Sequence, residues 1–279
     1  MTQNPNAAEP PGLHAEVPDG AAGVCCLFIH GFMSSRAQWR LNMDALTSAC
    51  RPVIVELWGH GRSPAPQDPA AYSVEGYIAS FERLRAKLGV NSWFVCGQSF
   101  GAGLALHYAL SHPRRIIGVA FTNSISALFT ANPDADRNRE AWASAVERGG
   151  GEALRELPFH PRFARRFPDA VRTEMLRDAE LIDPRAIALA LRHTMPELSA
   201  LQRIDNLSRP VLLINGRRET GFQPLRDRAQ REMPGLEVVD LDGGHSVNID
   251  CAERFNETLN EFLRKHAPGP VACSGSDDS

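Results

Sequence analysis

Short apolar runs alternate with amphipathic stretches along most of the chain. The runs are rich in β-branched and aromatic residues and are too short for helices, so each predicts a buried strand. The predicted strands are residues 24–29, 53–57, 92–96, 116–122, 210–215 and 236–241. Apolar residues at helical spacing predict helices over residues 36–49, 74–88, 102–110, 222–233 and 247–265. This alternation predicts an α/β protein with a mostly parallel central sheet and helices on both faces.

The alternation is interrupted between residues 123 and 207. Apolar residues keep a helical period there, aromatic residues are frequent, and prolines divide the segment. We predict that residues 123–207 form a helical cap inserted into an α/β core made of residues 21–122 and 208–266. Surface helices with no role over a site are the alternative interpretation. Residues 1–20 and 267–279, in which proline and small or polar residues dominate, are predicted to be disordered tails.

The strand at residues 92–96 leads into Gly97-Gln98-Ser99-Phe100-Gly101, which an Ala- and Leu-rich helix follows. A serine held in a sharp strand-to-helix turn needs small neighbours, because a Cβ two positions away would collide with the adjacent backbone. Its side chain then stands at the positive end of the following helix, which favours developing negative charge. Ser99 is therefore the candidate nucleophile, and an ordinary turn serine is the alternative.

Composition limits the expected partners and location. The 279 residues carry a net charge of −3 and are 43% hydrophobic, so neither nucleic acid nor an anionic membrane is an expected partner. No run approaches the roughly 18 apolar residues that cross a bilayer, and the N-terminus lacks the features of a signal peptide. We therefore expect a cytoplasmic protein. The 6 cysteines have no metal-binding spacing, so we expect no metal. An organic cofactor is not expected either.

Four motifs, taken together, resemble those of the α/β-hydrolase superfamily over about residues 24–266. In chain order they are His30-Gly31-Phe32, Gly59-His60-Gly61-Arg62-Ser63, the turn at Ser99, and Gly244-His245. The resemblance implies the α/β-hydrolase fold, in an esterase- or lipase-like member with a serine nucleophile and a helical cap. It implies much less about the substrate, because one fold supports many reactions.

The resemblance also implies that His245 acts as general base to Ser99 and then as general acid to the leaving group. This histidine lies in a glycine-rich loop after the last predicted strand, where its imidazole can reach a serine at the same edge of the sheet. His30 and His60 belong to motifs whose usual role in the superfamily is to shape loops. We therefore expect structural roles for these two histidines and a catalytic role for His245.

The acid of the implied catalytic triad is Glu219. The superfamily usually places an aspartate three residues after the glycine that ends the preceding strand, and here Glu219 stands at that distance from Gly216. Glutamate can orient an imidazole, although it is one methylene longer. A surface glutamate, with Asp205 as the orienting carboxylate, is the alternative. Residues 122–124, the other known placement of the acid, contain no carboxylate.

An acyl-serine mechanism also needs N–H donors for the tetrahedral oxyanion, and each donor contributes about 3–4 kcal/mol. The backbone N–H groups of Phe32 and Phe100 are the candidates for this oxyanion hole. Phe32 follows an early strand and Phe100 follows the nucleophile. Phenylalanines that only fill the core or form a pocket wall are the alternative.

Within the predicted cap, Trp142 and Phe163 are candidate substrate-binding residues because large apolar side chains could set chain-length preference. The arginines 162, 165 and 166 could hold a substrate carboxylate. A solvated helix face is the alternative interpretation of that cluster.

The expected function is hydrolysis of a carboxylic ester of a small or medium-sized, largely apolar substrate through an acyl-serine intermediate. Hydrolysis of a carbon–carbon bond or of a thioester remains open on the same fold. A ligand sensor that keeps the triad but barely turns over is the alternative from another class. Turnover of a simple ester distinguishes an enzyme from a sensor.

Overall fold

The computed structural model describes residues 12–130 and 132–268. The strands of this part are β1 (Ala15–Glu16), β2 (Cys25–Ile29), β3 (Arg51–Val55), β4 (Trp93–Gly97), β5 (Ile116–Thr122), β6 (Val211–Gly216) and β7 (Leu236–Leu241). They form one sheet in the order β1-β3-β2-β4-β5-β6-β7. The pair β1 and β3 is antiparallel and the other neighbours are parallel.

Helices cover both faces of this sheet. They are α1 (Met43–Leu46), α2 (Val74–Lys87), α3 (Phe100–Ser111), α4 (Ile125–Leu128), α5 (Pro133–Glu156), α6 (Asp169–Ala179), α7 (Pro184–Leu189), α8 (Gln223–Glu232), α9 (Val247–Asp250) and α10 (Ala252–His266). Within residues 12–130 and 132–268, no helix combines the length and the apolarity needed to cross a membrane.

Alternate residues of the central strands face opposite sides of the sheet, and each side has its own core. In β2, Leu27 and Ile29 join a core that includes α2 and α3, whereas Cys26 and Phe28 join the core under α10. Strands buried on both faces are typical of parallel sheets, which explains why the apolar runs are continuous rather than alternating. The predicted fold class, a mostly parallel sheet between two layers of helices, is confirmed.

The prediction that residues 1–20 form a disordered tail is wrong for its last part. Ala15 and Glu16 form β1, which pairs with Val55 and Ile54 at the edge of the sheet. The backbone of His14 extends this pairing, because its carbonyl accepts from the N–H of Glu56. A two-residue edge strand is held by backbone hydrogen bonds and leaves no periodic signal in the sequence. Residues 1–11 and 269–279 of the two predicted tails lie outside the described residues.

The prediction of one helix over residues 36–49 is also wrong. Arg36–Trp39 is a short 3-10 helix, and α1 begins only at Met43. Between them, the buried Asn42 side chain donates to the carbonyl oxygen of Asn248 at 3.0 Å. This bond joins residues that are 206 positions apart, so the local apolar period does not report it.

The segment between β5 and β6 contains α4 to α7 together with short 3-10 and π-helical turns. Helix α5 bends at Gly150, whose φ is 55°. Between α5 and α6, residues 158–167 lie against the loops that follow β2 and β4. The inserted segment therefore forms one wall of the cavity at the carboxyl end of the sheet.

Candidate active site

The loops after β2, β4 and β7 meet at a cavity of about 600 Å³. Phe32, Ser99 and His245 line this cavity, one from each loop. Carboxyl ends of neighbouring parallel strands lie at one edge of a sheet, which is where open α/β folds bind ligands. Three motifs that are far apart in the sequence therefore meet at one place.

Ser99 adopts a backbone conformation that is unfavourable for a residue with a side chain, with φ 52° and ψ −114°. The two flanking glycines make this turn possible. A Cβ on Gly97 would lie 2.2 Å from the carbonyl oxygen of Gly101, and a Cβ on Gly101 would lie 2.3 Å from that of Ile29. Strain of this kind persists only where the surrounding structure imposes it, and it often marks a functional residue.

The environment of Ser99 suits a nucleophile. Helix α3 begins at Phe100, so the serine stands at the positive end of the helix dipole. The Ser99 carbonyl oxygen accepts a hydrogen bond of 2.7 Å from the hydroxyl of Ser124, and this bond holds the backbone of the turn in place. Among the described residues, no group forms a hydrogen bond with the Ser99 hydroxyl, which faces the cavity.

The structure brings His245 and Glu219 together. The imidazole Nδ1 lies 2.9 Å from Oε1 and 3.0 Å from Oε2 of the carboxylate. When Nδ1 carries the proton and donates it to Glu219, Nε2 keeps a lone pair that can accept a proton from a nucleophile. The two loops approach closely because Gly216 has no Cβ, which would lie 2.0 Å from the Gly244 carbonyl oxygen.

Glu219 is held in its charged form. Burial by itself would raise the pKa of this carboxyl, but the hydrogen bond and charge of His245, together with the Asn123 amide, bring the pKa below its ordinary value. The alternative carboxylate, Asp205, does not line the cavity and instead accepts from the amide of Asn206 at 2.9 Å. The structure therefore places Glu219, rather than Asp205, against the imidazole.

Asn123 is a site residue that the sequence analysis missed. Its side chain is fully buried and bridges both backbone polar groups of Gly216, donating to the carbonyl at 2.9 Å and accepting from the N–H at 2.8 Å. It thereby fixes the start of the loop that carries Glu219. The available signal was its position directly after β5, the other place where the superfamily carries the acid.

The backbone N–H groups of Phe32 and Phe100 are the predicted oxyanion donors. Within the described residues, the N–H of Phe32 has no hydrogen-bond acceptor. The N–H of Phe100 belongs to the first residue of α3, where no intrahelical acceptor exists. The Phe100 ring points away from the cavity into the core against Tyr77, and its centroid lies 5.3 Å from that of Phe32. The Phe100 side chain is therefore a core residue, and the role of its backbone N–H stays a prediction.

A buried amide network supports the loop that bears Phe32, and the sequence did not predict it. Ser34 donates to Gln38 Oε1 at 3.0 Å, and Gln38 Nε2 donates to Asn248 Oδ1 at 3.0 Å. The Asn248 amide returns a 2.7 Å bond to the Gln38 carbonyl. Asn248 lies in α9, directly after the His245 loop, so the network connects the loop that bears Phe32 with the loop that bears the base.

The other motif histidines have structural positions. His30 bonds the Gly31 carbonyl through Nδ1 at 2.7 Å and accepts from the Leu57 N–H through Nε2 at 3.1 Å. Burial, with a smaller contribution from nearby His60, lowers the pKa of His30 to about 3. Burial likewise lowers the pKa of His60 to about 4. Both rings are neutral at pH 7 and hold the loops after β2 and β3.

Arg62 and Ser63 tie the turn after β3 to the edge of the sheet. The N–H of Arg62 donates to the buried Glu56 carboxylate at 2.8 Å, and its guanidinium contacts Glu16 of β1. The Ser63 hydroxyl accepts from the N–H of His14 at 2.9 Å. Neither residue lines the cavity, so the motif supports the fold around the site without contacting a substrate.

The two candidate cap residues differ in their position relative to the cavity. Phe163 lines the cavity and is 47% exposed. Trp142 does not line it, and its ring packs edge-on against Phe159 with centroids 5.3 Å apart. Phe159 in turn packs edge-on against Phe32 at 5.4 Å. Trp142 therefore reaches the cavity only through Phe159.

Phe163→Ala should change the ratio of kcat/KM for long and short p-nitrophenyl esters by about fivefold or more, because the lost ring faces the space for an acyl chain. Trp142→Ala should instead lower the free energy of unfolding, by about 2 kcal/mol, because it removes packing behind Phe159. Ester kinetics and urea unfolding of both variants check this. If both variants changed this kcat/KM ratio equally, the assignment of Phe163 to the cavity and of Trp142 to the packing behind it would be contradicted.

Residues 12–130 and 132–268 contain no group of three or more His, Cys, Asp or Glu side chains arranged to hold a metal ion. We therefore expect that dialysis against EDTA leaves turnover unchanged, because the expected acyl-serine reaction needs only side chains and backbone N–H groups. Turnover measured before and after dialysis checks this. A loss of activity that zinc or manganese restores would contradict it.

Comparison with known proteins supports the fold described above. A family model described as the alpha/beta hydrolase fold matches residues 27–251. The solved structure of MenH from S. aureus superimposes with a TM-score of 0.79 at 18% identity, covering 91% of this chain and 99% of that chain. At this identity the likeness concerns the fold.

Two named relatives match over nearly their whole length. A 2-succinyl-6-hydroxy-2,4-cyclohexadiene-1-carboxylate synthase of Bacillus subtilis (strain 168) is 25% identical, with 89% of this chain and 92% of the relative aligned. The 2-hydroxymuconate semialdehyde hydrolase of Pseudomonas sp. (strain CF600) is 28% identical, with 90% of this chain and 91% of that relative aligned. The names of these two relatives thus describe different reactions.

Proposed function

The chain belongs to the α/β-hydrolase family, and we propose that it is a serine hydrolase that cleaves a carboxylic ester of a small or medium-sized, largely apolar substrate. The observation that carries this proposal is the pairing of His245 with Glu219 at the edge of the cavity that Ser99 lines. The cavity of about 600 Å³ lies within the range of small-molecule sites.

In the proposed reaction, His245 Nε2 takes the proton of the Ser99 hydroxyl as the oxygen attacks the carbonyl carbon. The N–H groups of Phe32 and Phe100 stabilise the oxyanion, and Glu219 stabilises the imidazolium. The intermediate collapses when His245 gives its proton to the leaving alcohol. Water, activated by the same imidazole, then hydrolyses the acyl-serine and restores the free hydroxyl.

Hydrolysis of a carbon–carbon bond is the second candidate. It is favoured by the match to the semialdehyde hydrolase, which covers 90% of this chain. The same Ser99, His245 and oxyanion donors would serve that reaction, but the group that leaves is a carbanion, which must be protonated before it departs. Only the substrate distinguishes the two candidates.

A substrate panel tests the proposal. Wild type and Ser99→Ala should be assayed with p-nitrophenyl acetate, butyrate and hexanoate, an acyl-thioester and a dienoic ketone. Repeated turnover of the esters by wild type, lost in Ser99→Ala, is the expected result. Preference for the dienoic ketone by a hundredfold in kcat/KM would move the assignment to the second candidate. Fewer than one turnover on every substrate would contradict both and favour a sensor.

A further inference from the structure

Three arginines lie on the stretch between α5 and α6, and they have different surroundings. Arg162 is neutralised, because its two terminal nitrogens donate to the two Glu156 oxygens at 2.9 and 2.8 Å. Its guanidinium also stacks over the Phe163 ring at 4.6 Å. Arg165 and Arg166 form no ion pair with any carboxylate among the described residues. Their two positive charges are therefore not balanced by contacts on their own segment.

The two arginines that form no ion pair lie at the same cavity as Ser99. Arg165 and Arg166 line the 600 Å³ cavity together with Ser99 and His245. Arg166 also borders an adjoining cavity of about 470 Å³, which Arg218 and His245 line as well. Arg166 thus lies where the two cavities meet beside His245, and Arg165 lies on the first cavity.

The acidic groups that line these cavities are already engaged. Glu219 accepts from His245, and Asp250 Oδ2 accepts from the N–H of Gly244 at 2.7 Å. Arg218, which lines the second cavity, lies 3.6 Å from Asp242, which lines neither cavity. Glu219 and Asp250 keep their negative charges, but Glu219 is paired with His245 and Asp250 is bonded to the backbone. Arg165 and Arg166 are the lining groups that form no ion pair among the described residues, so they are the groups available to an incoming anion.

We propose that Arg165 and Arg166 bind a carboxylate carried by the substrate, so that the enzyme acts on anionic esters whose body is apolar. This inference rests on the proposed function and names its substrate class. Arginine suits the role, because its planar guanidinium forms two parallel hydrogen bonds with a carboxylate. The apolar part of such a substrate would lie against Phe32, Phe159 and Phe163, which line the same cavity.

Matched ester pairs test the inference on the full chain. The acyl pair is the mono-p-nitrophenyl ester of glutaric acid and p-nitrophenyl 5-methylhexanoate, in which a branched alkyl end replaces the carboxylate. The alcohol pair is 4-acetoxybenzoate and 4-nitrophenyl acetate. Their leaving groups differ in reactivity, so the kcat/KM of each ester is divided by the rate of its uncatalysed hydrolysis. We expect kcat/KM to favour the anionic member of one pair by about 10- to 100-fold, and that pair shows which side of the ester the arginines face.

Two arginine variants and one control locate the preference. Arg165→Gln and Arg166→Gln should each reduce the anionic-to-neutral ratio of kcat/KM by about tenfold, and the double variant should abolish the preference. Arg155→Gln is the control, because Arg155 makes a surface ion pair with Glu180 at 2.7 Å and lies outside both cavities. It removes the same charge and should keep the wild-type ratio.

Salt gives a second measurement. Both arginines are exposed to solvent, so the preference should fall as the salt concentration rises from about 0.05 to 0.5 M, while the rate on the neutral ester changes less.

The inference and the proposed function fail in different ways. Turnover of the neutral esters without any anionic preference would overturn the carboxylate site and leave the serine hydrolase intact. An anionic preference that survives in the double variant would also overturn it. Ester turnover that persists in Ser99→Ala would instead overturn the proposed function.

Discussion

Ser99→Ala should reduce kcat by about 10⁴-fold or more without unfolding the protein, because loss of the nucleophile removes the covalent route. Alanine has the same Cβ as serine, so the strained backbone at φ 52° gains no new clash. The only group removed is a hydroxyl that has no hydrogen-bond partner among the described residues. The residual rate should reflect binding and the oxyanion donors alone.

Ser111→Ala is the matched control for this change. Ser111 ends the same helix α3, and among the described residues its hydroxyl bonds the His107 carbonyl alone, at 2.9 Å, so its loss should leave turnover within about twofold of wild type. Circular dichroism and thermal unfolding should show that both variants are folded. Turnover of Ser99→Ala at a tenth of the wild-type rate would place the nucleophile elsewhere.

Glu219→Gln should lower kcat by about 10²- to 10⁴-fold with little change in KM. The amide keeps the shape of the side chain but loses the charge that stabilises the imidazolium. It can also donate to Nδ1, which favours the tautomer with the proton on Nε2, and that tautomer cannot accept the Ser99 proton. Steady-state kinetics on the ester that wild type prefers provide the measurement.

Two further variants make the test of the acid specific. Glu219→Asp keeps the charge but draws it back by roughly 1.5 Å, the length of one carbon–carbon bond, so its kcat should fall between wild type and Gln. Asp205→Asn should have no effect, because Asp205 lies outside the cavity. The acid would be wrongly assigned if Glu219→Gln kept a kcat within threefold of wild type while Asp205→Asn was inactive.

The parts of the site that the sequence predicted are those fixed by local chemistry. A strained turn requires glycine at positions 97 and 101, and the loop that carries Glu219 requires glycine at position 216, so these residues mark the site directly. The apolar runs similarly predicted the central strands, because strands buried on both faces must be apolar throughout. The roles of Ser99 and Glu219 stay predictions until the variants are measured.

The parts that the sequence did not predict depend on long-range contacts. The edge strand at Ala15 and Glu16 is held by backbone hydrogen bonds, which carry no side-chain signal. The bonds from Asn42 and Asn123 reach partners more than ninety positions away, so no local pattern reports them. The exclusion of Trp142 from the cavity depends on how α5 packs, which helical spacing alone cannot reveal.

Labelling with a fluorophosphonate tests the central claim, that Ser99 is the nucleophile, most directly. The probe reacts with an activated serine, so one equivalent should abolish turnover, and peptide mass mapping should place the adduct on Ser99. Glu219→Gln should be labelled far more slowly, because its imidazole is less able to take the Ser99 proton. An adduct on any other serine that forms together with the loss of activity would contradict the account, as would full activity after Ser99 is modified.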